Sequence, residues 1–373
     1  MGYESVDKLQ NLLASEVFHY TKDRKKAAGR ALGTFVELIT YYLLKNWNLE
    51  KFLSIEYQLP EFANNEIRHN VEFGLHGSRL LIDDKIGKND LPLSYSKIVK
   101  KHFFDNNNLS KKSGAIIDKN NVIKNAFVLY ASQESFISVY INSCEGTYNI
   151  CELKNEPFAM LECKRVGVEE GMKKGPQTIE KAKQGSYVAR TVSSLQKIRY
   201  NNGLLGGIIQ KQNEKFIIKE YYTLLEEIIN SNDFQMLKNF ILTVGIISNH
   251  GNWFSSENQN KELKVLAQSY DWLIFLTDKG IGEFITDLLI KPKNENSAIK
   301  EAFDKSYNKN KKGNVFTKVK IDYNADIALS KYFKQNEEKI TSWFNVITPQ
   351  NRDLDELKNE LHLLSNKDWW RVY

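Results

Sequence analysis

Cysteine is scarce in this chain, and the few copies are not spaced as metal ligands or as a disulfide framework. The three cysteines are Cys144, Cys151 and Cys163, an odd number with no CxxC pair and no histidine nearby in sequence. Structural zinc sites and disulfide-stabilised domains use paired or regularly spaced cysteines. Both classes are therefore disfavoured, and a reducing compartment is the expected environment.

Long apolar runs and targeting signals are lacking as well. No stretch approaches the roughly 18 apolar residues that a membrane-spanning helix needs. The opening segment MGYESVDKLQNLLASEV is polar and amphipathic, without the apolar core of a signal peptide. We therefore expect a soluble, cytoplasmic protein with no membrane partner.

Several catalytic signatures are missing. His250, in ISNHGNW, has no second histidine or zinc ligand at a spacing usable by an HNH-type nuclease, and a turn role is the simpler interpretation. The segment VGVEEGMKKG lacks the GxxxxGK[ST] spacing of a phosphate-binding P-loop. No GxSxG segment is present, which disfavours acyl transfer by an exposed serine.

The chain does have the material for a large core and a modest excess of positive charge. Of its 373 residues, 42% are hydrophobic and 26% charged, an ordinary balance for a globular protein. The formal net charge is +6. This charge suits a polyanionic partner, although many proteins without such a partner share it.

The order of apolar patterns predicts a mixed sheet flanked by helices. Residues 5–48 are expected to be helical, and NAFVLYASQ, SFISVYINS, TYNICEL and FAMLECK to be strands paired with their neighbours in an antiparallel meander. Pro176 is suited to open a helix that reaches Arg199. The apolar runs NFILTVGIISN and DWLIFLTD then read as buried strands. The predicted fold class is α/β with a mixed sheet.

One strand exit combines an acid and a base. In FAMLECK, Glu162 and Lys164 share a face of the predicted strand, whereas Cys163 points the other way. If TYNICEL and FAMLECK form a hairpin, Glu152 lies beside Glu162. Mg²⁺ prefers hard oxygen ligands, such as paired carboxylates together with water and a backbone carbonyl. The predicted metal-binding positions in this segment are Glu152, Glu162 and Cys163. A lysine beside them suits the metal-assisted hydrolysis of a phosphodiester.

The helix that follows carries a second set of candidates. Lys183, Arg190 and Lys197 recur every seven residues and are expected to form a basic stripe. Such a stripe is usually a solvated helix face, but in a nucleic-acid enzyme it tracks phosphates. Trp369 and Trp370 have two interpretations as well: they stack on bases, or they dock a helix onto the core, which is the commoner use.

These segments together resemble the PD-(D/E)XK nuclease superfamily, and within it the type II restriction endonucleases. ECK at residues 162–164 matches the ExK motif of the family, GRALGTFVEL resembles its opening helix, and QTIEKAKQGSYVARTV resembles the helix after the motif. The resemblance implies a restriction-endonuclease-like core with metal binding by Glu162, assistance to water by Lys164 and support from Glu37. It also implies that Gln184 and Tyr187 face the site.

The sequence departs from the family at the first acid. The family usually has an aspartate on the strand before ExK, and no aspartate occurs between Lys119 and Pro176. Glu152 is the first choice for this role. Asp118 is the alternative, and Glu134 and Glu145 are weaker ones.

The resemblance implies a Mg²⁺-dependent endonuclease that cuts double-stranded DNA at a specific sequence as a homodimer. A cognate DNA methyltransferase would be its functional partner in a bacterial cytoplasm. Two alternatives stay open: a non-catalytic nucleic-acid-binding protein, and a repair or recombination nuclease of the same superfamily. The expected regions are an N-terminal helical region at 1–112, a catalytic core at 113–290 and a C-terminal helical region at 291–373.

Overall fold

A computed structural model describes most of the chain, and it has the predicted mixed α/β architecture, with a mixed central sheet and flanking helices. The described residues are 6–18, 22–102, 114–166, 176–210, 215–249, 261–307 and 314–373. The segment VGVEEGMKKG, apart from Val166, and His250 lie outside them. Among the described residues, no helix is both long and apolar enough to cross a membrane.

The helices are α1 (Val6–Glu16), α2 (Arg24–Asn46), α3 (Tyr95–His102), α4 (Pro176–Thr191), α5 (Tyr221–Asn230), α6 (Phe234–Leu237), α7 (Lys261–Ala267), α8 (Asp278–Ile285), α9 (Ser297–Tyr307), α10 (Tyr323–Gln335), α11 (Glu337–Thr341), α12 (Leu354–Ser365) and α13 (Trp369–Val372). The strands are β1 (Leu53–Pro60), β2 (Arg68–Lys85), β3 (Leu93–Ser94), β4 (Ala115–Ile117), β5 (Val122–Lys124), β6 (Val128–Ala131), β7 (Ser135–Asn142), β8 (Thr147–Val166), β9 (Gln196–Arg199), β10 (Leu205–Gln210), β11 (Phe216–Glu220), β12 (Leu242–Asn249), β13 (Trp272–Thr277), β14 (Lys320–Asp322) and β15 (Phe344–Thr348).

The chain forms two compact units, each assembled from three segments. Unit 1 contains Met1–Lys51, Ser78–Asn155 and Leu276–Trp343. Unit 2 contains Phe52–Gly77, Glu156–Phe275 and Phe344–Tyr373. The functional division at residues 112 and 290 stays a prediction.

Unit 1 contains the long helix α2 and the part of the predicted meander that runs from NAFVLYASQ to TYNICEL. The side chain of Asp23 caps α2 by accepting a hydrogen bond from the Lys26 amide at 3.0 Å. Helix α2 lies within the segment 5–48 that was expected to be helical, and it carries an apolar stripe whose members recur every three or four residues. Each member is buried: Ala28, Leu32, Phe35, Ile39 and Leu43. Strands β6 and β7, and β7 and the first half of β8, pair antiparallel. A smaller sheet has the order β14-β5-β4-β3.

Unit 2 contains the strands around the ExK segment. Strand β1 pairs antiparallel with β2, β2 neighbours β8, and β12 pairs parallel with the second half of β8. Strands β13 and β15 extend this order. Helix α4 lies in the long connection between β8 and β12. Its residues Val188 and Ala189, with Val192 just beyond the helix, join Val71 and Met160 in one apolar cluster. A parallel pair requires such a crossover connection.

The predicted hairpin between TYNICEL and FAMLECK is wrong, because both segments belong to the single strand β8. The pairing of β8 with β7 ends at Lys154, and its pairing with β12 begins at Ala159. Pro157 falls between these two ladders. A proline has no N–H to donate to a ladder, and at Pro157 strand β8 is paired with neither β7 nor β12.

The helix expected to reach Arg199 is shorter than predicted. Helix α4 ends at Thr191, and Gln196–Arg199 forms β9, an edge strand of a three-stranded sheet with the order β11-β10-β9. The buried strands expected at NFILTVGIISN and DWLIFLTD are confirmed as β12 and β13. The region 291–373, expected to be helical, also contains β14 and β15.

Candidate active site

The second half of β8 presents Glu162 and Lys164 together, as their alternation predicts. The Nζ atom of Lys164 lies 2.5 Å from Oε1 of Glu162. Glu162 is 4% exposed, while the Lys164 side chain retains 24% of its exposure. The acid is therefore enclosed, and the ammonium lies between it and solvent.

The second carboxylate at this site is Glu72 of β2. Its Oε1 lies 3.9 Å from Lys164 Nζ, and its backbone N–H donates a 3.2 Å hydrogen bond to Oε2 of Glu162. Glu72 and Glu162 are 90 positions apart in sequence. Sequence reasoning missed Glu72 because it looked for the first acid on the segment directly before ExK, whereas β2 is the neighbouring strand in space. The signal was present: Glu72 lies in VEFGL, which the apolar pattern identifies as strand-like.

Burial and the lysine act on Glu162 in opposite directions. Burial raises the pKa of the Glu162 carboxyl, and the Lys164 ammonium lowers it without cancelling the effect. Burial also lowers the pKa of Lys164, but the carboxylates of Glu162 and Glu72 outweigh it and leave that pKa raised. The ammonium is thus held charged between two acids, and a second cation would further stabilise the ionised form of Glu162.

Close packing fixes the back of the site. A Cβ atom placed on Gly185 of α4 would lie 2.5 Å from the Tyr270 hydroxyl oxygen and 3.0 Å from Cγ of Glu162. On the neighbouring strand, Gly245 is in register with Glu162, and a Cβ there would lie 2.8 Å from the Tyr270 ring. Glycine at both positions lets helix, ring and carboxylate approach one another more closely than any other residue allows.

Glu152 is not brought beside Glu162. Ten residues of extended strand separate them, a span of about 33 Å at about 3.3 Å per residue. Glu152 accepts a 2.8 Å hydrogen bond from the Ser135 hydroxyl within unit 1. Cys163 is 4% exposed and takes part in no disulfide, and its backbone is in register with Ile246 of β12.

The remaining acids occupy other settings in unit 1. The carboxylate of Glu37 on α2 lies 2.7 Å from Lys318 Nζ, so it forms an ion pair. Asp118 accepts hydrogen bonds from the amides of Asn120 and Val122 in the turn between β4 and β5, as turn aspartates do. Glu134 and Glu145 lie on exposed turns.

The predicted basic stripe is not one helix face. Arg190 is exposed on α4, and the side chain of Lys183 lies outside the described residues. Lys197 lies on β9, where its ammonium donates a 2.8 Å hydrogen bond to the Tyr270 carbonyl and sits 3.6 Å from Asp271. Its side chain is 12% exposed, and burial lowers the pKa of Lys197. Lys197 is therefore an interior cation rather than a phosphate-tracking one.

The remaining predicted positions are Gln184 and Tyr187 on α4 and Trp369 on α13. Gln184 and Tyr187 are both exposed on α4. Trp369 is buried at 2% exposure, and its ring stacks on Phe158 of β8 with centroids 5.6 Å apart. Docking onto the core, the commoner interpretation of the tryptophan pair, is confirmed for Trp369.

The donor set fits a hard divalent cation held by few protein ligands. Among the described residues, no group of three or more His, Cys, Asp or Glu side chains is arranged to hold a metal ion. Mg²⁺, however, is commonly bound through one or two carboxylates, with water and substrate phosphate completing its shell. The buried Glu162 and the adjacent Glu72 supply that minimal set, so the residues present fit Mg²⁺.

Comparison of the chain with protein-family models, with curated proteins and with solved structures finds no match. The chemistry of the site therefore has to be inferred from its own geometry.

Proposed function

We propose that this protein is a Mg²⁺-dependent endonuclease of the type II restriction class, which hydrolyses phosphodiester bonds of double-stranded DNA at a specific sequence. The observation that carries the proposal is the contact of one ammonium, that of Lys164, with carboxylates from two neighbouring strands, Glu162 at 2.5 Å and Glu72 at 3.9 Å. A buried acid, a partner acid and a cation at a strand end form a suitable arrangement for phosphoryl chemistry.

The element order around the site supports the proposal. Strands β1, β2 and β8 are consecutive neighbours, helix α4 follows, and β12 lies parallel to β8. This order resembles the core of the PD-(D/E)XK superfamily, with β3–β7 inserted between its second and third strands. In that correspondence, Glu72 takes the place of the first acid on the strand before ExK.

The residues of the chain have separable roles in the proposal. Bound Mg²⁺ would polarise a phosphate oxygen and lower the pKa of a coordinated water. Glu72 and Glu162 would hold the ion through their carboxylate oxygens. Lys164 keeps charge balance at the buried carboxylate and places an ammonium where negative charge develops on the phosphate. Glu37, paired with Lys318 in unit 1, is not needed for this set.

The partners belong to the same proposal. A site-specific endonuclease that acts as a homodimer matches a palindromic DNA sequence through its two-fold symmetry. A cognate methyltransferase that modifies the same sequence would protect the DNA of a bacterial host. The basic balance of +6 suits the polyanionic substrate.

The test is incubation of the purified protein with several phage DNAs, in Mg²⁺ and in EDTA. We expect discrete fragments in Mg²⁺ alone, and none from Lys164→Ala or Glu72→Gln. Glu152→Gln is the matched control, because it removes a carboxylate of the same strand at a distance from the site, and it should cut as wild type does. Intact DNA with wild-type protein across diverse substrates contradicts the proposal.

The fragment pattern also separates the alternatives. Salt-sensitive binding without cleavage, indifferent to Mg²⁺ and to Glu162→Ala, would identify a non-catalytic nucleic-acid-binding protein. Cleavage that follows DNA structure rather than sequence would identify a repair or recombination nuclease.

A further inference from the structure

Unit 2, which contains the carboxylate site, also contains a hydrogen-bonded cluster of two aromatic side chains and one buried acid. Glu61, at the end of β1, is 7% exposed. Its Oε1 lies 2.8 Å from Nε2 of His69 on β2, and the Tyr187 hydroxyl on α4 also hydrogen-bonds to Glu61. One enclosed carboxylate thus orients two rings that come from different elements.

The two rings differ in exposure. Tyr187 is 46% exposed, whereas the side chain of His69 is 21% exposed. The His69 and Tyr187 rings meet edge to face, with centroids 5.7 Å apart at 75°. The hydrogen bond to Glu61 raises the pKa of Tyr187, which keeps the phenol protonated and in place. An exposed aromatic ring held by a buried partner is preorganised for contact with a ligand.

The surroundings of the cluster are cationic and tied to the same helix. Arg190 lies one helical turn beyond Tyr187 and is exposed, as is Arg68 next to His69, while Glu66 is an exposed acid in the turn between β1 and β2. The amide of Phe62 in that turn donates a 2.8 Å hydrogen bond to the Thr191 carbonyl at the end of α4. Phe62 adds a further exposed ring, at 39%.

Two elements carry residues of both the cluster and the carboxylate site. Helix α4 carries Tyr187 and also Gly185, which packs closely against Glu162. Strand β2 carries His69 and also Glu72, about 10 Å further along the strand. A flat apolar ring, two arginines and a nearby phosphodiester-cutting site together match the chemistry of a nucleic-acid strand, whose bases offer π-faces and whose phosphates offer charge.

We propose that Tyr187, oriented with His69 by the buried Glu61 carboxylate, is a stacking platform for an unpaired base of the DNA strand that is cut at Glu72 and Glu162. This inference rests on the proposed function, and it adds that the enzyme unstacks a nucleotide next to the cleaved bond. Arg68 and Arg190 hold the flanking phosphates of that nucleotide.

The test measures binding, so that it does not depend on cleavage. The affinity of wild-type protein, Tyr187→Ala, Tyr187→Phe and Tyr200→Ala is measured in EDTA by fluorescence anisotropy. The probes are short labelled single-stranded oligonucleotides, intact or with one abasic site moved along the strand. Tyr200 is the matched control, because it is 41% exposed and lies on the turn after β9 rather than beside Glu61.

We expect Tyr187→Ala to weaken binding by about tenfold, and Tyr187→Phe, which keeps the ring, to stay within about threefold of wild type. Tyr200→Ala should bind as wild type does. One abasic position should weaken binding by wild type and have no further effect on Tyr187→Ala, because both changes remove the same stack.

Equal affinities of Tyr187→Ala and Tyr200→Ala, or no abasic position that wild type senses, overturn the inference. Its failure is distinguishable from that of the proposed function. Mg²⁺-dependent cleavage together with wild-type affinity of Tyr187→Ala would contradict the stacking platform and leave the proposed nuclease function standing. Base-dependent binding without cleavage would support the platform and contradict the nuclease function.

Discussion

Lys164 Nζ lies 2.5 Å from Oε1 of Glu162, and that carboxylate belongs to a residue with 4% exposure. The pair is therefore a partly buried ion pair in which one charge is enclosed and the other reaches solvent. Such pairs are coupled more strongly than pairs on the surface, because solvent screens them less.

A double-mutant cycle should measure this coupling. Lys164→Met, Glu162→Gln and the double variant are expected to give a coupling free energy of about 2 kcal/mol in urea unfolding. The control pair is Lys219 and Glu227, which are as close, at 2.6 Å, but have 45% and 42% exposed side chains. Its coupling should stay at about 0.5 kcal/mol. Equal couplings in the two cycles would show that burial does not strengthen the Glu162 pair.

The raised pKa of Glu162 determines the direction in which the free energy of unfolding should change with pH. Because burial raises the pKa of Glu162 above 4.5, the folded protein holds this proton more tightly than the unfolded chain does. The contribution of the carboxyl to the free energy of unfolding is therefore complete below 4.5 and is lost as pH rises through the raised folded value. Wild type should lose stability relative to Glu162→Gln over that interval.

Glu220 provides the opposite case for comparison. Partial burial raises the pKa of Glu220, but the hydrogen bonds that its carboxylate accepts from Thr223 outweigh this and leave the pKa below 4.5. Its contribution is present above 4.5 and is lost as pH falls through the folded value, so Glu220→Gln should give a slope of opposite sign. Slopes of the same sign for the two variants would contradict the assignment.

Gly185 should not tolerate a methyl group. A Cβ at 2.5 Å from the Tyr270 hydroxyl oxygen requires α4 or the ring to move, and Gly185→Ala is expected to destabilise the protein by about 2 kcal/mol and to abolish cleavage. Adding Tyr270→Phe removes the clashing oxygen and should recover part of the stability. Gly33→Ala is the control: nothing lies within 4 Å of its added Cβ, and the exchange in a helix should stabilise by about 0.5 kcal/mol. A harmless Gly185→Ala would contradict the packing described.

The two candidate first acids should differ sharply in activity. Glu72→Gln is expected to lower the cleavage rate by at least about 100-fold, since it removes a proposed metal ligand. Glu152→Gln removes a carboxylate that accepts a hydrogen bond from Ser135 and should change the rate less than about threefold. Initial rates on one plasmid substrate in Mg²⁺ check both, and the reverse order would restore Glu152 as the first acid.

Two residues of the predicted basic stripe should have different roles: Arg190 is expected to bind DNA, and Lys197 to stabilise the fold. Arg190→Ala is expected to weaken DNA binding and to reduce the slope of affinity against salt by about 1, as the loss of one phosphate contact does. Lys197→Met should instead lower the free energy of unfolding by about 2 kcal/mol, because it takes a buried donor away from Asp271 and the Tyr270 carbonyl. An unchanged salt slope in Arg190→Ala would exclude it from the DNA contact.

The sequence predicted what local patterns encode. The apolar stripe of α2, the strands β12 and β13, and the shared face of Glu162 and Lys164 follow from periodicity, which each segment carries by itself. The pairing of β8 did not follow. The residues between TYNICEL and FAMLECK, KNEP at 154–157, have the composition of a turn. Composition does not reveal that Pro157 lies after the pairing with β7 has ended and before the pairing with β12 begins.

The second carboxylate beside Glu162 was misplaced for the same reason. The neighbour of β8 on the side of Glu72 is β2, which the chain leaves before adding the strands β3–β7. A search limited to the preceding segment finds Glu152, whereas the spatial neighbour is 90 positions away from Glu162. Likewise, a seven-residue spacing cannot show that Thr191 ends the helix before Lys197 is reached.

The distance in sequence between Glu72 and Glu162 has a consequence for the cell that makes this protein. The two carboxylates meet only after β8 has been synthesised and has docked beside β2, so a growing or partly folded chain contains one acid or both, but no assembled site. For the proposed activity, this delays the ability to break DNA until the sheet is complete. A copy that is truncated before β8, or whose sheet has not formed, would therefore lack the assembled pair of acids.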